Sequence, residues 1–309
     1  MKITFLGTGG AWGMPELKCN CLICKEMRKR GEKRDRTSLL LSSESSNLLI
    51  DCGPDIRSQL MRNNVTWIDG LLISHEHGDH FIGLDDLLAY KRNTPPDDFN
   101  PIPVFVTQKS WETISKRFSY LEQMGLIKTN IIMPGHWFNF GGFDILPFKT
   151  AHGEFAKGSV GFLLEFREDK RRVKIIYTSD FVNIPGFIPD MKEPDCLIIQ
   201  SFWLNEPEKN RANHMSFQRA IPFIKRFKPK KETFLVHIGD ADMVPGDPAN
   251  TNPKKYKPKD PLKPPSQKIP YPIPRNQIQW QETIERIIKD YQIEFKIIVA
   301  QDDMKININ

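Results

Sequence analysis

The sequence lacks the features that mark membrane-spanning and secreted proteins. No apolar run in its 309 residues approaches about 18 residues, the length that a membrane-spanning helix needs. The apolar opening segment, residues 2–6, is cut short by Gly7, so it predicts a first β-strand and not a secretory leader. Five cysteines are too few for a disulfide scaffold. Together these absences predict a cytoplasmic protein that makes no contact with a membrane.

The sequence also has little excess charge of either sign. The 44 lysines and arginines and the 38 aspartates and glutamates leave a formal net charge of +6. This surplus permits an anionic substrate but does not require nucleic acid. A hydrophobic content of 39% and a charged content of 27% are ordinary for a folded chain. Composition alone therefore does not indicate a function, and the sequence motifs must be considered.

Two segments differ from the rest in composition. Three of the five cysteines lie at Cys19, Cys21 and Cys24, a spacing that indicates a metal site in a reducing compartment. The segment Val244–Arg275 holds ten of the 24 prolines, with six lysines and one arginine against two aspartates. Because proline lacks an amide donor, this segment predicts an extended excursion from the surface. A plain insertion, a lid over the site and a docking arm all fit it.

Short apolar runs typical of strands alternate with segments of helical period in two similar halves. Helices are predicted at Trp111–Met124 and Phe217–Phe227, and a strand at Phe143–Phe148, with no element between the first helix and this strand. Strands and helices in this order predict two sheets sandwiched between helices, an α/β (α+β) fold. We interpret residues 1–309 as a single domain with an insertion at 244–275.

Metal-ligand chemistry is concentrated in His75-x-His77-x-Asp79-His80, directly after the apolar residues 71–73. Alternate residues of an extended loop point the same way, so His75 and His77 can bind one ion while Asp79 and His80 turn towards a second. Imidazole and carboxylate ligands together suit zinc, manganese or iron. The alternative is a solvated polar turn, but it does not explain three of the seven histidines within six residues. The segment therefore predicts a dinuclear metal site.

The same segment resembles the HxHxDH signature of the metallo-β-lactamase fold, which implies a four-layer αββα sandwich of two mixed sheets. The later ligands of that fold each follow a strand, and this sequence has matching residues in the right order. The resemblance implies one ligand set for each ion and one bridging residue: His75, His77 and His152; Asp79, His80 and His237; and Asp180. It also implies that Asp51, at an earlier strand end, orients the ligand histidines.

The opening Gly7–Pro15 and the three cysteines resemble the PhnP-type cyclic phosphodiesterases. In that group the cysteines hold a structural zinc together with a histidine, and here Asp240 occupies the histidine position. The resemblance therefore implies a structural zinc on Cys19, Cys21, Cys24 and Asp240, although cysteines without a metal remain the alternative. Near the end, Asp302-Asp303-Met304 resembles an aspartate-glycine-methionine element of the group, with Asp303 in place of the glycine.

The motif Asn213-His214-Met215 resembles the histidine of that group that lies beside the active site, which implies that His214 contacts the substrate. The hypothesis is a phosphodiesterase of small diesters, cyclic ones included. A hydroxide held between the two ions would attack phosphorus, with His214, Asp79 and Asp180 as the catalytic residues. Three alternatives stay open: an RNA- or tRNA-processing nuclease, a thiolester or lactone hydrolase, and a non-catalytic metal-binding relative. A nucleic-acid substrate is the less favoured expectation, and a homodimer is expected only by analogy.

Overall fold

The computed structural model describes residues 1–168 and 171–308, which form two seven-stranded sheets. The strands of the first sheet are β1 (Lys2–Gly7), β2 (Ser38–Ser42), β3 (Asn47–Ile50), β4 (Gly70–Leu72), β5 (Ile102–Thr107), β6 (Ile127–Ile132) and β14 (Met304–Asn307). Those of the second are β7 (Phe138–Phe140), β8 (Phe143–Lys149), β9 (Val160–Glu168), β10 (Arg171–Tyr177), β11 (Cys196–Gln200), β12 (Glu232–Val236) and β13 (Lys296–Val299). Their spatial orders are β14-β1-β2-β3-β4-β5-β6 and β13-β12-β11-β10-β9-β8-β7.

Helices cover the outer faces of both sheets. They are α1 (Leu22–Arg30), α2 (Ile56–Arg62), α3 (Gly78–Phe81), α4 (Leu88–Arg92), α5 (Gln108–Phe118), α6 (Tyr120–Gln123), α7 (Phe217–Phe227) and α8 (Gln277–Asp290). Side-chain caps fix where the longer ones begin: Thr107 accepts from the Ser110 amide and Ser216 from the Arg219 amide. Within the described ranges, no helix combines the length and the apolar character that crossing a membrane would take.

Three buried apolar layers hold the sheets and helices together. The middle layer lies between the sheets, where Phe5 of β1 packs on Phe234 of β12 with ring centroids 5.0 Å apart. The next residue, Leu6, faces α2 and α5, because successive side chains of a strand point to opposite faces. The outer face of the second sheet packs against α1, α7 and α8. This layer order confirms the predicted αββα sandwich of two mixed sheets.

The proline- and lysine-rich segment 244–275 runs between β12 and α8 with little regular structure beyond a 3₁₀ turn at Pro248–Thr251. It is nevertheless anchored to the body of the protein. Leu262 and Tyr271 are buried in the apolar layer beneath α7 and α8, and the Tyr271 hydroxyl donates to the Asp290 carboxylate at 2.6 Å. The segment is therefore held to the body of the protein at these two residues.

Two parts of the sequence prediction differ from the structure. The helix predicted at Trp111–Met124 is two helices, α5 and α6, because the amides of Glu122 and Gln123 both donate to the carbonyl of Ser119. Strands β6 and β7 were not predicted at all. Both lie at sheet edges, and the middle of β6 is Lys-Thr-Asn, so neither shows the apolar run of an inner strand.

Candidate metal centre

The carboxyl ends of parallel strands from both sheets meet at one edge of the sandwich. Strands β3, β4 and β5 run parallel in the first sheet, as do β10, β11 and β12 in the second. A hydrogen bond from the Val160 amide to the Ser74 carbonyl, 3.0 Å, joins the two edges. The strand ends bring together polar residues that are far apart in the chain: Asp51, Ser74, His75, Asp180, Gln200 and His237.

Several of the chain reversals at this edge use left-handed backbone. Asp51, Ser179, Asn213 and His237 have φ values of 63°, 54°, 55° and 58°. Residues other than glycine adopt this region at a cost of roughly 1–3 kcal/mol, and Asp, Asn and His tolerate it best. Such strain gathers where the direction of a side chain matters more than local stability. Here the left-handed residues Asp51, Ser179 and His237 turn the chain sharply after β3, β10 and β12.

The first group of candidate ligands is His75, His77 and His152, whose ligand atoms lie within 4.8 Å of one another. The His152 Nδ1–H donates to the Asn213 carbonyl at 2.8 Å, which leaves the lone pair on Nε2. That Nε2 lies 3.1 Å from His77 Nδ1. The structure therefore brings together the three histidines that the resemblance assigned to one ion.

The second group is Asp79, His80, Asp180 and His237, again with ligand atoms within 4.8 Å. Asp180 lies between the two groups. Its Oδ2 is 3.5 Å from His152 Nε2 and 3.7 Å from His80 Nε2, and its Oδ1 is 3.2 Å from His237 Nδ1. This is the position that a residue shared by two ions would occupy.

The buried polar atoms of these residues fit divalent ions. His75 Nε2, His80 Nε2, Asp180 Oδ1 and both ring nitrogens of His237 are buried and have no hydrogen-bond partner among the described residues. An unsatisfied buried polar atom costs about 1–3 kcal/mol, so a cluster of them indicates that a group bound there satisfies them. Nitrogen and carboxylate oxygen atoms are the donor set of zinc, manganese or iron sites.

Asp51 fixes the orientation of two of the histidines. Its carboxylate accepts from the Ser74 hydroxyl at 2.9 Å and from His80 Nδ1 at 2.8 Å, and Tyr177 donates to it at 3.1 Å. Because the single Ser74 proton goes to Asp51, the 3.0 Å contact between Ser74 and His75 must be donated by His75 Nδ1. A hydrogen bond thus occupies Nδ1 of both histidines, which leaves Nε2 as the ring atom that could bind an ion.

The contacts between these carboxylates and histidines also shift their pKa values. Burial disfavours ionised Asp180, but His237 and His80 hold the pKa of its carboxyl well below the usual range. Burial also disfavours a charged His80, yet Asp79 and Asp51 raise the pKa of His80 well above its usual value. The pKa of His75 is lowered, chiefly by burial. The Asp180 carboxylate is therefore ionised and can bind a cation.

His214 lies over the shared aspartate and is held in one tautomer. The amides of Phe181 and Met215 both donate to Gln200 Oε1 at 3.0 Å, so Gln200 Nε2 must face the ring and donates to His214 Nδ1 at 2.7 Å. The ring proton is therefore on Nε2. Burial lowers the pKa of His214 to about 3, so the imidazole is a neutral hydrogen-bond donor at neutral pH.

The glycine-rich turn after β1 passes close to the centre. A Cβ at Gly10 would lie 2.6 Å from the ring of Phe202 and 3.5 Å from His237. The Phe202 ring in turn stacks on His214, with centroids 4.5 Å apart. A side chain at Gly10 would push the aromatic ring into His214, so only glycine fits this position.

Cys19, Cys21, Cys24 and Asp240 form a separate buried cluster. The three sulfur atoms lie 3.6, 3.5 and 2.9 Å from Asp240 Oδ2, and this donor set is one that zinc accepts. Hydrogen bonds, chiefly with Cys24, lower the pKa of Cys21 to about 6, against the effect of burial. The structure therefore brings Asp240 to the place that the sequence match indicated.

Two lysines of the segment 244–275 hold this cluster from outside. Lys254 Nζ lies 2.5 Å from Asp240 Oδ2 and 2.7 Å from Glu16 Oε2. Lys255 is buried and donates to the backbone carbonyls of Asp240 and Asp242. Burial disfavours the charged form of Lys254, but the nearby Asp240 carboxylate raises the pKa of Lys254 above its usual value. The segment is thus tied to the cysteine loop by charge.

Some residues of the centre were missed in the sequence. Ser74, Tyr177 and Gln200 carry no motif, yet each lies at or beside the carboxyl end of an inner strand. The rule that picked out Asp180 and His237 would have found Gln200 as well. Lys254 had no comparable signal, because it pairs with Asp240 from within an irregular segment.

Comparison with known proteins connects this geometry to a family. A family model described as the β-lactamase superfamily domain matches residues 46–238. The octanoyltransferase of Porphyromonas gingivalis is 30% identical over 182 residues, which cover 54% of this chain and 35% of that protein. The chain thus spans only about a third of the length of that relative. Ribonuclease Z of Clostridium tetani is 24% identical over a 297-residue alignment that covers 78% of this chain and 89% of the relative.

A solved structure of a diphosphatase from the PhnP family has a TM-score of 0.70 and 21% identity, over 100% of this chain and 98% of that chain. At this identity the likeness concerns the fold alone. The family model covers well over half of the chain and includes the ligand residues from His75 to His237. The chain therefore belongs to the β-lactamase superfamily and has the metallo-β-lactamase fold.

Proposed function

We propose that the protein is a dinuclear-metal-dependent phosphodiesterase that acts on small phosphodiesters, cyclic ones included. The observation that supports this most directly is the place of His214. Its neutral ring lies over two groups of ligand atoms that share Asp180, with Nδ1 3.4 Å from Asp180 Oδ2. Because Nδ1 accepts from Gln200, the ring proton is on Nε2, and this donor would suit an anionic centre with several oxygen atoms, such as phosphate.

His75, His77 and His152 would hold one ion, Asp79, His80 and His237 the other, and Asp180 both. Zinc or manganese, and also iron, fits these ligands. When bound, two such ions lower the pKa of water and offset the charge on the attacked phosphate.

The chain itself supplies orientation and one proton. With Nδ1 occupied by Gln200, His214 can donate Nε2–H to a phosphoryl oxygen or to the departing oxygen. The stacked Phe202 ring keeps the imidazole in place and excludes water from one of its faces. Asp51 keeps His80 and, through Ser74, His75 turned towards the ions.

A second candidate is cleavage of RNA, because the match to ribonuclease Z covers 78% of this chain. The substrate would then be a larger molecule, but the reaction at phosphorus would be the same. Hydrolysis of an acyl ester or thiolester is a third, weaker candidate, which would give His214 no phosphoryl oxygen to bind.

A substrate panel tests the proposal. Purified, metal-loaded protein is assayed against bis-p-nitrophenyl phosphate, a 2′,3′-cyclic nucleotide, a precursor tRNA and p-nitrophenyl octanoate. We expect turnover of the first two. Cleavage of the precursor tRNA with no turnover of the small diesters would favour the nuclease instead. If two metal equivalents are bound and no diester is hydrolysed, the phosphodiesterase proposal is wrong.

Gln200→Glu should lower kcat for the small diesters about tenfold, and His214→Ala roughly a hundredfold. The new carboxylate would still accept from the Phe181 and Met215 amides, but it would draw the ring proton of His214 to Nδ1 and leave no donor on Nε2. The assay measures kcat and bound metal together. His136→Ala, at an exposed histidine, is the control and should match wild type. An unchanged kcat in His214→Ala would remove this residue from the mechanism.

We also propose that Cys19, Cys21, Cys24 and Asp240 hold a structural zinc ion. Three thiolates with one carboxylate satisfy its four positions, and the interaction of Asp240 with Lys254 would offset part of the negative charge. The reducing compartment expected for this protein would keep the thiols available.

Cys21→Ser should remove one metal equivalent of three while leaving two at the histidine centre. Metal analysis by mass spectrometry on the purified protein measures this directly. Cys196→Ser is the matched control, because Cys196 is buried between the sheets, in a different apolar layer from the three cysteines, and should keep all three equivalents. Equal metal content in wild type and Cys21→Ser would show that the cluster binds no ion.

A further inference from the structure

The proline- and lysine-rich segment 244–275 has no role in the function proposed above, yet part of it contacts the loop that carries His214. We call residues 254–262 of this segment the clamp, and residues 201–216, which connect β11 to α7, the histidine loop. The histidine loop is described throughout and forms turns and isolated bridges instead of a helix or strand. Irregular loops longer than about 12–15 residues are usually functional, and their shape depends on the contacts that hold them.

Backbone hydrogen bonds join the clamp to the histidine loop. The Glu208 amide donates to the Lys257 carbonyl, and the Lys259 amide donates to the Glu206 carbonyl, both at 2.9 Å. This is the pattern of an antiparallel bridge, with two prolines opposite each other at its centre. The clamp thus fixes the backbone of the histidine loop on both sides of residue 207.

The end of the clamp makes two more hydrogen bonds. The Leu262 amide donates to Asn205 Oδ1, and the Asp260 carbonyl accepts from Gln218 Nε2, both at 2.8 Å. Gln218 is in α7, and its Oε1 accepts from the Glu206 amide at 2.8 Å. Asn205 and Leu262 are buried. The clamp, the histidine loop and the start of α7 are therefore one bonded unit.

The Glu206 side chain connects the clamped backbone to His214. Its carboxylate accepts from the Ser216 hydroxyl at 2.7 Å and from Asn210 Nδ2 at 3.5 Å. The Asn210 side chain bonds both backbone groups of His214, since Nδ2 donates to the carbonyl at 2.7 Å and Oδ1 accepts from the amide at 3.3 Å. Asn213, just before His214, has a left-handed backbone, which persists only where surrounding contacts hold it.

A row of aromatic rings makes a second connection. The half-buried Tyr256 ring of the clamp packs edge-on against Trp203, with centroids 5.2 Å apart. Trp203 is buried and packs edge-on against Phe202, and its centroid lies 6.1 Å from that of His214. Phe202 in turn stacks on His214. Because protein interiors are closely packed, a change at Tyr256 is transmitted through Trp203 to His214.

The beginning of the clamp is fixed to the chain that follows β12. The Tyr256 amide donates to the Ala241 carbonyl at 2.9 Å. Asp242 Oδ2 accepts from the Leu204 amide at 3.1 Å, so the same stretch also holds the histidine loop directly. Ala241 and Asp242 come shortly after His237, a candidate metal ligand. The clamp therefore connects the stretch after this ligand to the loop of His214.

Resting on the phosphodiesterase proposed above, we propose that the clamp positions His214 and that Tyr256 is its main positioning residue. Through Trp203 on one side and Glu206 on the other, the clamp keeps the imidazole over Asp180. It touches no substrate and takes no part in bond breaking. Its effect on the reaction is the precise placement of the Nε2–H donor.

Tyr256→Ala should lower kcat for bis-p-nitrophenyl phosphate about tenfold, because even a 1 Å misplacement of a catalytic group can cost about a hundredfold in rate. KM should stay within about twofold of wild type, and the bound metal should be unchanged. Tyr256→Phe keeps the ring and should restore kcat. In a His214→Ala background, Tyr256→Ala should change kcat by less than about twofold, since its effect requires the imidazole.

Tyr291→Ala is the matched control. The Tyr291 hydroxyl donates to the Lys263 carbonyl at 2.9 Å, so this variant loosens the same segment outside the clamp and should keep the kcat of wild type. Circular dichroism checks the fold of each variant. If Tyr256→Ala does not fold, Tyr256→Leu, which keeps apolar bulk without the ring, takes its place with the same expectations.

Amide hydrogen exchange, followed by mass spectrometry, measures the histidine loop without turnover. In Tyr256→Ala, residues 205–216 should exchange roughly tenfold faster, and in Tyr291→Ala at the rate of wild type. Unchanged kcat in Tyr256→Ala, unchanged exchange in that variant, or a tenfold loss that persists without His214 would each overturn the inference while the phosphodiesterase proposal stands. If wild type hydrolyses no diester, that proposal fails on its own, and the exchange rates alone decide whether the clamp holds the loop.

Discussion

Asp180→Ala should lower phosphodiester turnover by at least about a thousandfold and reduce the bound metal below two equivalents. Among the residues that the structure describes, Asp180 lies between both candidate ligand groups, with contacts of 3.2–3.7 Å to His237, His80 and His152. Removing it takes a ligand from both ions at once, together with the negative charge that balances them. Losses of this size are expected where one group supports most of the electrostatic stabilisation of the reaction.

The measurement combines kcat/KM on bis-p-nitrophenyl phosphate with metal content by mass spectrometry. Asp97→Ala, at an exposed aspartate in the loop before β5, should match wild type in both. Asp180→Asn is the finer comparison, because it keeps the shape and removes the charge. Full activity in Asp180→Ala, with two ions still bound, would mean that the ions are not shared by this residue.

Removal of metal should lower the melting temperature by roughly 10 °C or more. The candidate ligands come from both sheets: His75 to His80 follow β4, whereas His152, Asp180 and His237 follow strands of the second sheet. Ions bound between them therefore join the two sheets at this edge. An ion present at a thousand times its dissociation constant stabilises the fold by about 4 kcal/mol. For a chain of this size each kcal/mol corresponds to roughly 2–4 °C.

Thermal unfolding followed by circular dichroism, before and after dialysis against a chelator, measures this effect. Adding back zinc or manganese should restore the transition. The cysteine cluster would contribute its own part, so Cys21→Ser, compared in the same way, isolates the histidine centre. A melting temperature that does not respond to the chelator, in protein shown to lose its metal, would contradict the proposed role of the ions.

The site residues that could be predicted from the sequence were those that lie close together along the chain. The segment His75–His80 carries its own spacing, so it predicted a metal site without outside help. His152, Asp180 and His237 required the resemblance to the metallo-β-lactamase fold, and the structure brings them to that segment. The order of strands and helices predicted two sheets between helices, and the resemblance implied the four-layer sandwich.

The remaining details depend on contacts that no local pattern records. Strand β6, with polar residues 128–130 at its centre, pairs with β5 along its length, and its buried apolar side chains, Ile127 and Ile132, lie only at its two ends. The tautomer of His214 is set by Gln200, whose own orientation depends on two amides from different loops. Lys254 reaches Asp240 only because the segment 244–275 folds back along the surface.

The sheet order has a consequence for the time at which the protein can mature in the cell. Strand β1 pairs with β14, from Lys2 opposite Asn307 to Phe5 opposite Met304, so one edge of β1 is covered only after β14 has been synthesised. The ligand segment at His75 likewise emerges long before His237 is synthesised. Loading of the two ions is therefore expected to be a late event, after His237 has been synthesised, and nascent chains would depend on chaperones to shield the first sheet until then.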